Sequence, residues 1–147
     1  NIYIFHNMSQ QLVTLLLGSN LDLPERNIET AINKIETEIG PVLQRSDILY
    51  TQPVEFYSKN IFCNIALRIN THFSPVKLLK MLKKIEFEMG RTEDSLITKE
   101  YADRIIDIDI VYYGGIRFNS ERLNIPHHKH LYERDFSKKL LLSIETH

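Results

Sequence analysis

The order of helix-like and strand-like segments is the feature of this sequence that most restricts its fold. Two segments, 23–40 and 74–90, carry apolar residues at helical spacing, and each ends at a glycine. Short apolar runs typical of strands lie before, between and after them, at residues 12–18, 41–50, 61–71 and 103–113. The order β-α-β-β-α-β predicts an α+β domain with a ferredoxin-like arrangement, an antiparallel sheet with helices packed on it.

The two helix-like segments also carry start signals. Asp22 is the expected N-cap of the first helix, with Pro24 in its first turn. Ser74 is the expected N-cap of the second helix and Pro75 its first residue, where a missing N–H costs nothing. The tail, residues 132–147, has at best an amphipathic pattern.

Two polar segments, 50–61 and 91–104, show no clear period and are long for connections inside a compact domain. Such segments are typically lids or binding loops, so we expect ligand contacts in both. After the last long strand, "GG" indicates a turn, and residues 116–120 predict a short added strand.

The composition excludes several classes of protein. The 147 residues suffice for one domain with its own core, which we place at 12–147, with 1–11 as an N-terminal extension. The formal net charge of −1 argues against a nucleic-acid binder, which normally has a basic excess. No apolar run approaches the roughly 20 residues of a membrane span. The single cysteine, Cys63, fits a reducing compartment, so we expect a cytoplasmic protein.

Two aspartates interrupt the apolar strand "DRIIDIDIVYY", residues 103–113. On a strand, Asp107 and Asp109 point to the same face, roughly 6–7 Å apart, while the isoleucines between and beside them point to the core. Two like charges side by side repel each other unless a cation lies between them. They are either edge charges that discourage aggregation or ligands for one or two Mg²⁺ ions.

Several cationic side chains flank this strand along the chain and would suit a phosphate ligand: Arg91, Arg104, Arg122, His127 and Arg134. Each arginine alone is more simply a surface residue, and it is their grouping around two aspartates that indicates function. His127 also belongs to "IPHHKH", which would suit a transition metal, but its spacing fits no standard zinc pattern.

The remaining candidates are ambiguous when taken one at a time. Glu86, a lone acid on a helix, is expected to be solvated, and Phe62 is expected in the core. Together with Thr51 and Asn64, Phe62 alternatively lines a slot in which a flat heterocycle stacks and is read by hydrogen bonds.

Seven segments occur in an order that resembles one enzyme family: "LLLGSN" at 15–20, "TQP" at 51–53, "FCN" at 62–64, "IEFEMGR" at 85–91, "RIIDIDI" at 104–110, "ERLNIPH" at 121–127 and "ERDF" at 133–136. The family is 6-hydroxymethyl-7,8-dihydropterin pyrophosphokinase, of folate biosynthesis. The resemblance covers residues 12 to about 144. Its most specific part is the aspartate segment combined with "ERLNIPH".

The resemblance implies a ferredoxin-like enzyme that transfers pyrophosphate from ATP to the hydroxymethyl group of the pterin and releases AMP. It implies two Mg²⁺ ions on Asp107 and Asp109, with Arg91 and Arg104 as further catalytic groups. The residues that it implies for binding ATP are Glu86, Arg91, Lys99, Arg104, Ile108, Arg122, His127 and Arg134. Those implied for the pterin are Thr51, Pro53, Val54, Phe62, Asn64 and Phe136, with the two phenylalanines on either side of the ring.

The partners implied are these two small molecules, with no nucleic acid and no membrane. Because the enzyme is fused to dihydropteroate synthase in some organisms, the resemblance also implies a fusion to that enzyme, or action next to it.

Two other functions fit the same order of elements. An RNA-recognition-type module would need exposed aromatic residues on its central strands and a basic surface, and this sequence favours neither. A different two-metal nucleotidyl transferase would use the aspartates without the pterin slot. Pterin binding therefore separates the alternatives.

Overall fold

The computed structural model describes residues 10–52, 61–90 and 105–145. Its strands and helices follow in this order: β1 (Gln11–Ser19), α1 (Pro24–Glu38), β2 (Val42–Arg45), β3 (Leu49–Thr51), β4 (Phe62–Thr71), α2 (Pro75–Glu88), β5 (Asp107–Tyr113), β6 (Phe118–Asn119), β7 (Asn124–Ile125), a π-helical segment (Lys129–Glu133) and α3 (Asp135–Glu145). The predicted α+β class, with helices packed on an antiparallel sheet, is confirmed.

The main sheet has the strand order β2-β4-β1-β5, and β3 also pairs with β4. All of its pairings are antiparallel. The strands β1 and β4 lie in its centre and are buried over most of their length, as their long apolar runs predict. The strand β5 lies at one edge of the sheet, with its two aspartates in alternation with buried isoleucines.

The first face of the sheet is covered by α1 and α2. Ile28 and Ile35 of α1 and Leu78 and Leu82 of α2 are fully buried there, at the spacing that the sequence predicts. The isoleucines of β5 lie in the same core, so their predicted inward direction is confirmed.

The second face of the sheet carries α3, which the sequence indicates only weakly. Leu140, Leu141 and Ile144 of this helix pack on Leu16 and Ala66 in a second apolar cluster. These three apolar residues, at positions i, i+1 and i+4, form a short stripe that is a weak sequence signal for a helix. The helix is stabilised by packing of this stripe on the apolar face of the sheet.

Several local expectations are corrected. The N-cap of α1 is Leu23 without a side-chain hydrogen bond, because Asp22 adopts a positive φ of 56° in the preceding turn. The Oγ of Ser74 accepts a hydrogen bond from Lys77 N–H at 3.2 Å, as predicted. The segment 41–50 forms two short strands, and β5 begins only at Asp107.

The predicted short strand at 116–120 is the first half of a small hairpin, because β6 pairs with β7. Among the described residues, none of the helices has both the length and the apolar character that crossing a bilayer requires.

Candidate functional site

Three neighbouring strands carry candidate residues at one level of the sheet. Asp107 of β5 lies opposite Gly18 of β1, and Gly18 lies opposite Asn64 of β4. Directly paired residues project from the same face, so the carboxylate and the amide flank a glycine. A Cβ atom on Gly18 would lie 3.0 Å from Asn64 Oδ1. The Asn64 amide therefore packs directly against Gly18, in space that any side chain at position 18 would occupy.

Asp109 lies one level further along the same face, opposite Leu16. Its side chain is 23% exposed, at the edge of the apolar cluster that α3 covers. The predicted placement of Asp107 and Asp109 on one face, opposite to the buried isoleucines, is confirmed.

His130 contacts Asp109 directly, which the sequence did not predict. Its Nε2 lies 2.7 Å from Asp109 Oδ2, and its Nδ1 lies 2.6 Å from the Oγ of Ser137 in α3. His130 is 3% exposed and Ser137 is fully buried. The only sequence signal was the third histidine of "IPHHKH", three residues after His127 and so within one helical turn of it.

His127 stands beside this contact, at the start of the segment that follows β7. Its backbone N–H donates to the Val111 carbonyl at 3.1 Å, and its ring centroid lies 4.3 Å from that of His130. Burial lowers the pKa of His127; the Asp109 charge offsets part of this effect, and the Arg134 charge adds to it. The ring is therefore neutral at neutral pH in the free protein.

The carboxylate of Asp109 is ionised. Burial by itself raises its pKa, but the hydrogen bond from His130, with the nearby Lys83 charge as a smaller contribution, holds the pKa well below its usual range. Asp107 and Asp109 thus offer oxygen ligands on one rigid strand, the donor type that Mg²⁺ prefers, and the residues fit this ion.

A second donor set also exists. One ligand atom each from Asp109, His127 and His130 lie within 4.8 Å of one another. Imidazole nitrogens suit transition metals better than Mg²⁺. Both ring nitrogens of His130, however, are already engaged by Asp109 and Ser137.

Glu86 of α2 is buried, so its expected solvation is wrong. It is 0% exposed, and its Oε2 accepts a hydrogen bond from the Ile108 N–H at 2.7 Å. The other oxygen lies 3.3 Å from Lys83 Nζ. The reason is tertiary: β5 is an edge strand, and a buried backbone N–H there needs an acceptor from outside the sheet.

Of the residues assigned to the pterin, the four that the structure describes, Thr51, Phe62, Asn64 and Phe136, lie on the same side of the sheet as the aspartates. Asn64 Nδ2 donates to Thr51 Oγ1 at 3.1 Å, and Thr51 lies opposite Phe62 in the β3–β4 ladder. Phe62 is half-buried rather than part of the core. Phe136, in the first turn of α3, is half-buried and meets the ring of His130 edge-on at 6.5 Å between centroids.

The arginines are distributed differently. Arg134 is half-buried between the π-helical segment and α3, close enough to influence His127. Arg122 lies on the β6–β7 hairpin, in an exposed groove with Val76 and Leu79 of α2. Five predicted site residues fall outside the described residues: Pro53, Val54, Arg91, Lys99 and Arg104.

Comparison with known proteins gives one family. The family model described as 7,8-dihydro-6-hydroxymethylpterin-pyrophosphokinase (HPPK) matches residues 14–146. A Folate synthesis bifunctional protein of Arabidopsis thaliana is 38% identical over 84% of this chain and 25% of its own length. The 2-amino-4-hydroxy-6-hydroxymethyldihydropteridine pyrophosphokinase of Porphyromonas gingivalis is 32% identical over 90% of each chain.

Solved structures give the same fold. A Plasmodium falciparum HPPK-DHPS crystal structure aligns with a TM-score of 0.64 at 17% identity, over 89% of this chain and 39% of that one. This chain spans about a fifth to a quarter of the length of the first eukaryotic relatives that it matches. On the match over residues 14–146, the chain belongs to the 7,8-dihydro-6-hydroxymethylpterin-pyrophosphokinase family.

Proposed function

We propose that this chain transfers the pyrophosphoryl group of ATP to the hydroxymethyl group of 6-hydroxymethyl-7,8-dihydropterin, with release of AMP, in folate biosynthesis. Family membership supports the class of reaction. The observation that carries the assignment to this site is the sheet level that joins Asp107, Gly18 and Asn64. It sets the Asp107 carboxylate, proposed to bind a cation, and the Asn64 amide, proposed to read the heterocycle, on one face, on either side of Gly18.

Asp107 and Asp109 are proposed to hold two Mg²⁺ ions, with ATP as the co-substrate. When bound, Mg²⁺ would neutralise phosphate charge and fix the triphosphate next to the attacking hydroxyl. The ionised state of Asp109 supports this role, because a protonated carboxyl would be a poor ligand.

The protein's own groups mainly position and stabilise charge in this type of transfer. His127 and Arg134 are proposed to contact the triphosphate near the aspartates, together with Arg122 and the loop residues Arg91, Lys99 and Arg104. Glu86 fixes the backbone of Ile108, which is proposed to help to seat the nucleotide.

The pterin is proposed to lie against Asn64 and Thr51, whose hydrogen-bonding groups read its edge, with Phe62 and Phe136 on its two faces and Pro53 and Val54 nearby. In this pose the hydroxymethyl oxygen faces the sheet level of Gly18 and Asp107. It attacks the β-phosphorus in line and releases its proton to solvent. The bond from that phosphorus to the bridging oxygen of the α-phosphate breaks, and AMP leaves with that oxygen.

The proposal also includes a cytoplasmic location for the protein and dihydropteroate synthase as a neighbouring enzyme. The single cysteine, Cys63, is buried and free, which agrees with the reducing environment of the cytoplasm. Relatives whose names read HPPK-DHPS or Folate synthesis bifunctional protein support a neighbouring dihydropteroate synthase, joined in one chain or acting next in sequence.

Turnover of the aspartate variants tests the site. Asp107→Ala and Asp109→Ala should each lose about 10³-fold or more in pterin-dependent AMP formation, since a metal contributes several kcal/mol to such a transition state. Asp47→Ala, at an exposed aspartate between β2 and β3, is the matched control and should keep parental turnover. Turnover within about tenfold of the parent in both site variants would reject the metal assignment.

A further inference from the structure

We infer that His130 and Ser137 orient Asp109 as a cation ligand, so that His130 is a positioning residue for the reaction rather than a metal ligand. The inference rests on the proposed function, because it takes Asp109 as a ligand. It adds two residues to which neither the sequence motifs nor the resemblance assigns a role in holding Asp109.

The hydrogen-bond chain has a definite direction. The ionised carboxylate of Asp109 can only accept, so Nε2 of His130, at 2.7 Å, carries the proton. In the neutral ring, Nδ1 must then accept, and the hydroxyl of Ser137, at 2.6 Å, donates to it. The ionised carboxylate thus sets the tautomer of His130, and the Ser137 hydroxyl, which can donate to Nδ1, satisfies the second ring nitrogen and holds the ring in place.

Burial holds the hydrogen bonds that link Ser137, His130 and Asp109 in a fixed arrangement. His130 is 3% exposed and Ser137 is fully buried, so water does not compete for the hydrogen bond between them, and the His130–Asp109 hydrogen bond is partly shielded from water. Ser137 belongs to α3, which packs on the second face of the sheet, and Asp109 belongs to β5. These two hydrogen bonds thus couple the position of the Asp109 carboxylate to α3, the helix that carries Phe136.

The consequence for cation binding follows from the lone pairs of Asp109. His130 takes one acceptor position on Oδ2 and sets the plane of the carboxylate, which leaves Oδ1 as the principal ligand atom. Metal-binding carboxylates are commonly held by such outer hydrogen bonds, and loss of one typically costs about 10–100-fold in metal affinity or activity.

The backbone conformation around His130 also supports a functional role for this residue. His130 lies in the π-helical segment Lys129–Glu133, a rare conformation that is frequent at functional sites. The same segment brings the backbone N–H of His130 to within 3.5 Å of Nδ1 of His127. One short segment thus orients both histidines toward Asp109.

The competing arrangement is a transition-metal site made of Asp109, His127 and His130. It would require Nε2 of His130 to lose its proton and its hydrogen bond to Asp109. The existing hydrogen bonds on both ring nitrogens favour the supporting role.

The test measures Mn²⁺ affinity directly, by electron paramagnetic resonance, with a non-hydrolysable ATP analogue bound. His130→Leu should weaken Mn²⁺ binding by about 10–100-fold, and Ser137→Ala should weaken it less. His130→Gln keeps a donor for Asp109 and an acceptor for Ser137, so it should recover most of the affinity. His128→Leu, at the exposed neighbouring histidine, should match the parent.

The outcomes separate the inference from the proposed function. Parental Mn²⁺ affinity in Asp109→Ala would overturn the metal site itself. Loss in Asp109→Ala with parental affinity in both His130→Leu and Ser137→Ala would overturn the inference alone. If His130→Leu does not fold, Ser137→Ala and His130→Gln decide. Co²⁺ binding to the nucleotide-free protein that disappears in His130→Gln would make His130 a ligand and contradict the supporting role.

Discussion

The Oε2 of Glu86 lies 2.7 Å from the backbone nitrogen of Ile108, the residue between the two aspartates of β5. This hydrogen bond links α2 to the edge strand β5, next to the proposed metal ligands Asp107 and Asp109. Because Glu86 is fully buried, the Ile108 N–H has no access to water as a substitute acceptor. Glu86 therefore acts on the site through the strand.

Removal of this carboxylate should destabilise the fold. Glu86→Ala leaves a buried N–H unpaired and should lower the free energy of unfolding by about 1–3 kcal/mol in urea denaturation without metal. Glu86→Gln retains an acceptor oxygen and should lose less. Glu88→Ala, two residues on and in a surface ion pair with Lys34, is the control and should change it by about 0–1 kcal/mol. Equal losses in Glu86→Ala and Glu88→Ala would contradict the structural role.

Gly18→Ala tests the placement of the Asn64 amide against Gly18. The new Cβ would lie 3.0 Å from Asn64 Oδ1 and should displace the amide. We expect pterin affinity, measured by calorimetry with an ATP analogue present, to fall by about tenfold or more, because a mispositioned buried amide loses its hydrogen bond to the ligand. Affinity for the nucleotide alone should be nearly unchanged. Unchanged pterin affinity would show that the position of the Asn64 amide does not matter for pterin binding.

Phe136→Ala tests the aromatic wall. Stacking of a flat heterocycle on an aromatic side chain contributes about 1–3 kcal/mol, so pterin affinity should fall by about 5- to 150-fold. Affinity for the ATP analogue should fall much less. Leu142→Ala, at an exposed position of the same helix, controls for loss of an apolar side chain. An equal effect on both ligands would reject the assignment of Phe136 to the pterin.

Nucleotide binding should be accompanied by proton uptake at His127. Burial lowers the pKa of this ring in the free protein, so it is neutral near pH 7, and an adjacent triphosphate would raise the pKa again. Calorimetry near pH 6.5 in buffers of different ionisation enthalpy should show up to about one proton fewer taken up by His127→Asn than by the parent. The exposed His72→Asn should behave like the parent. Equal uptake in all three proteins would remove His127 from the triphosphate site.

The sequence predicted those features that depend on local periodicity. The same-face placement of Asp107 and Asp109 follows from the two-residue period of a strand, and the start of α2 follows from Ser74 and Pro75. Both expectations hold because no distant residue is needed to produce them.

The features that it missed depend on contacts between distant segments. Glu86 is buried because an N–H of β5, 22 residues later, requires an acceptor. The contact from His130 to Asp109 spans 21 residues and passes through a π-helical segment, for which no simple sequence pattern is known. The sequence indicates α3 only weakly, because its apolar stripe is short and the sheet face on which the stripe packs is formed by distant segments.

The central claim is pyrophosphoryl transfer to a pterin, and the most direct measurement is the identity of the nucleotide product. The protein is incubated with ATP and Mg²⁺, with and without 6-hydroxymethyl-7,8-dihydropterin, and AMP is separated from ADP by chromatography. We predict AMP that appears only with the pterin, together with a pterin product heavier by one pyrophosphoryl group. ADP as the product, or no turnover by the folded protein with Mg²⁺ present, would contradict the proposed function.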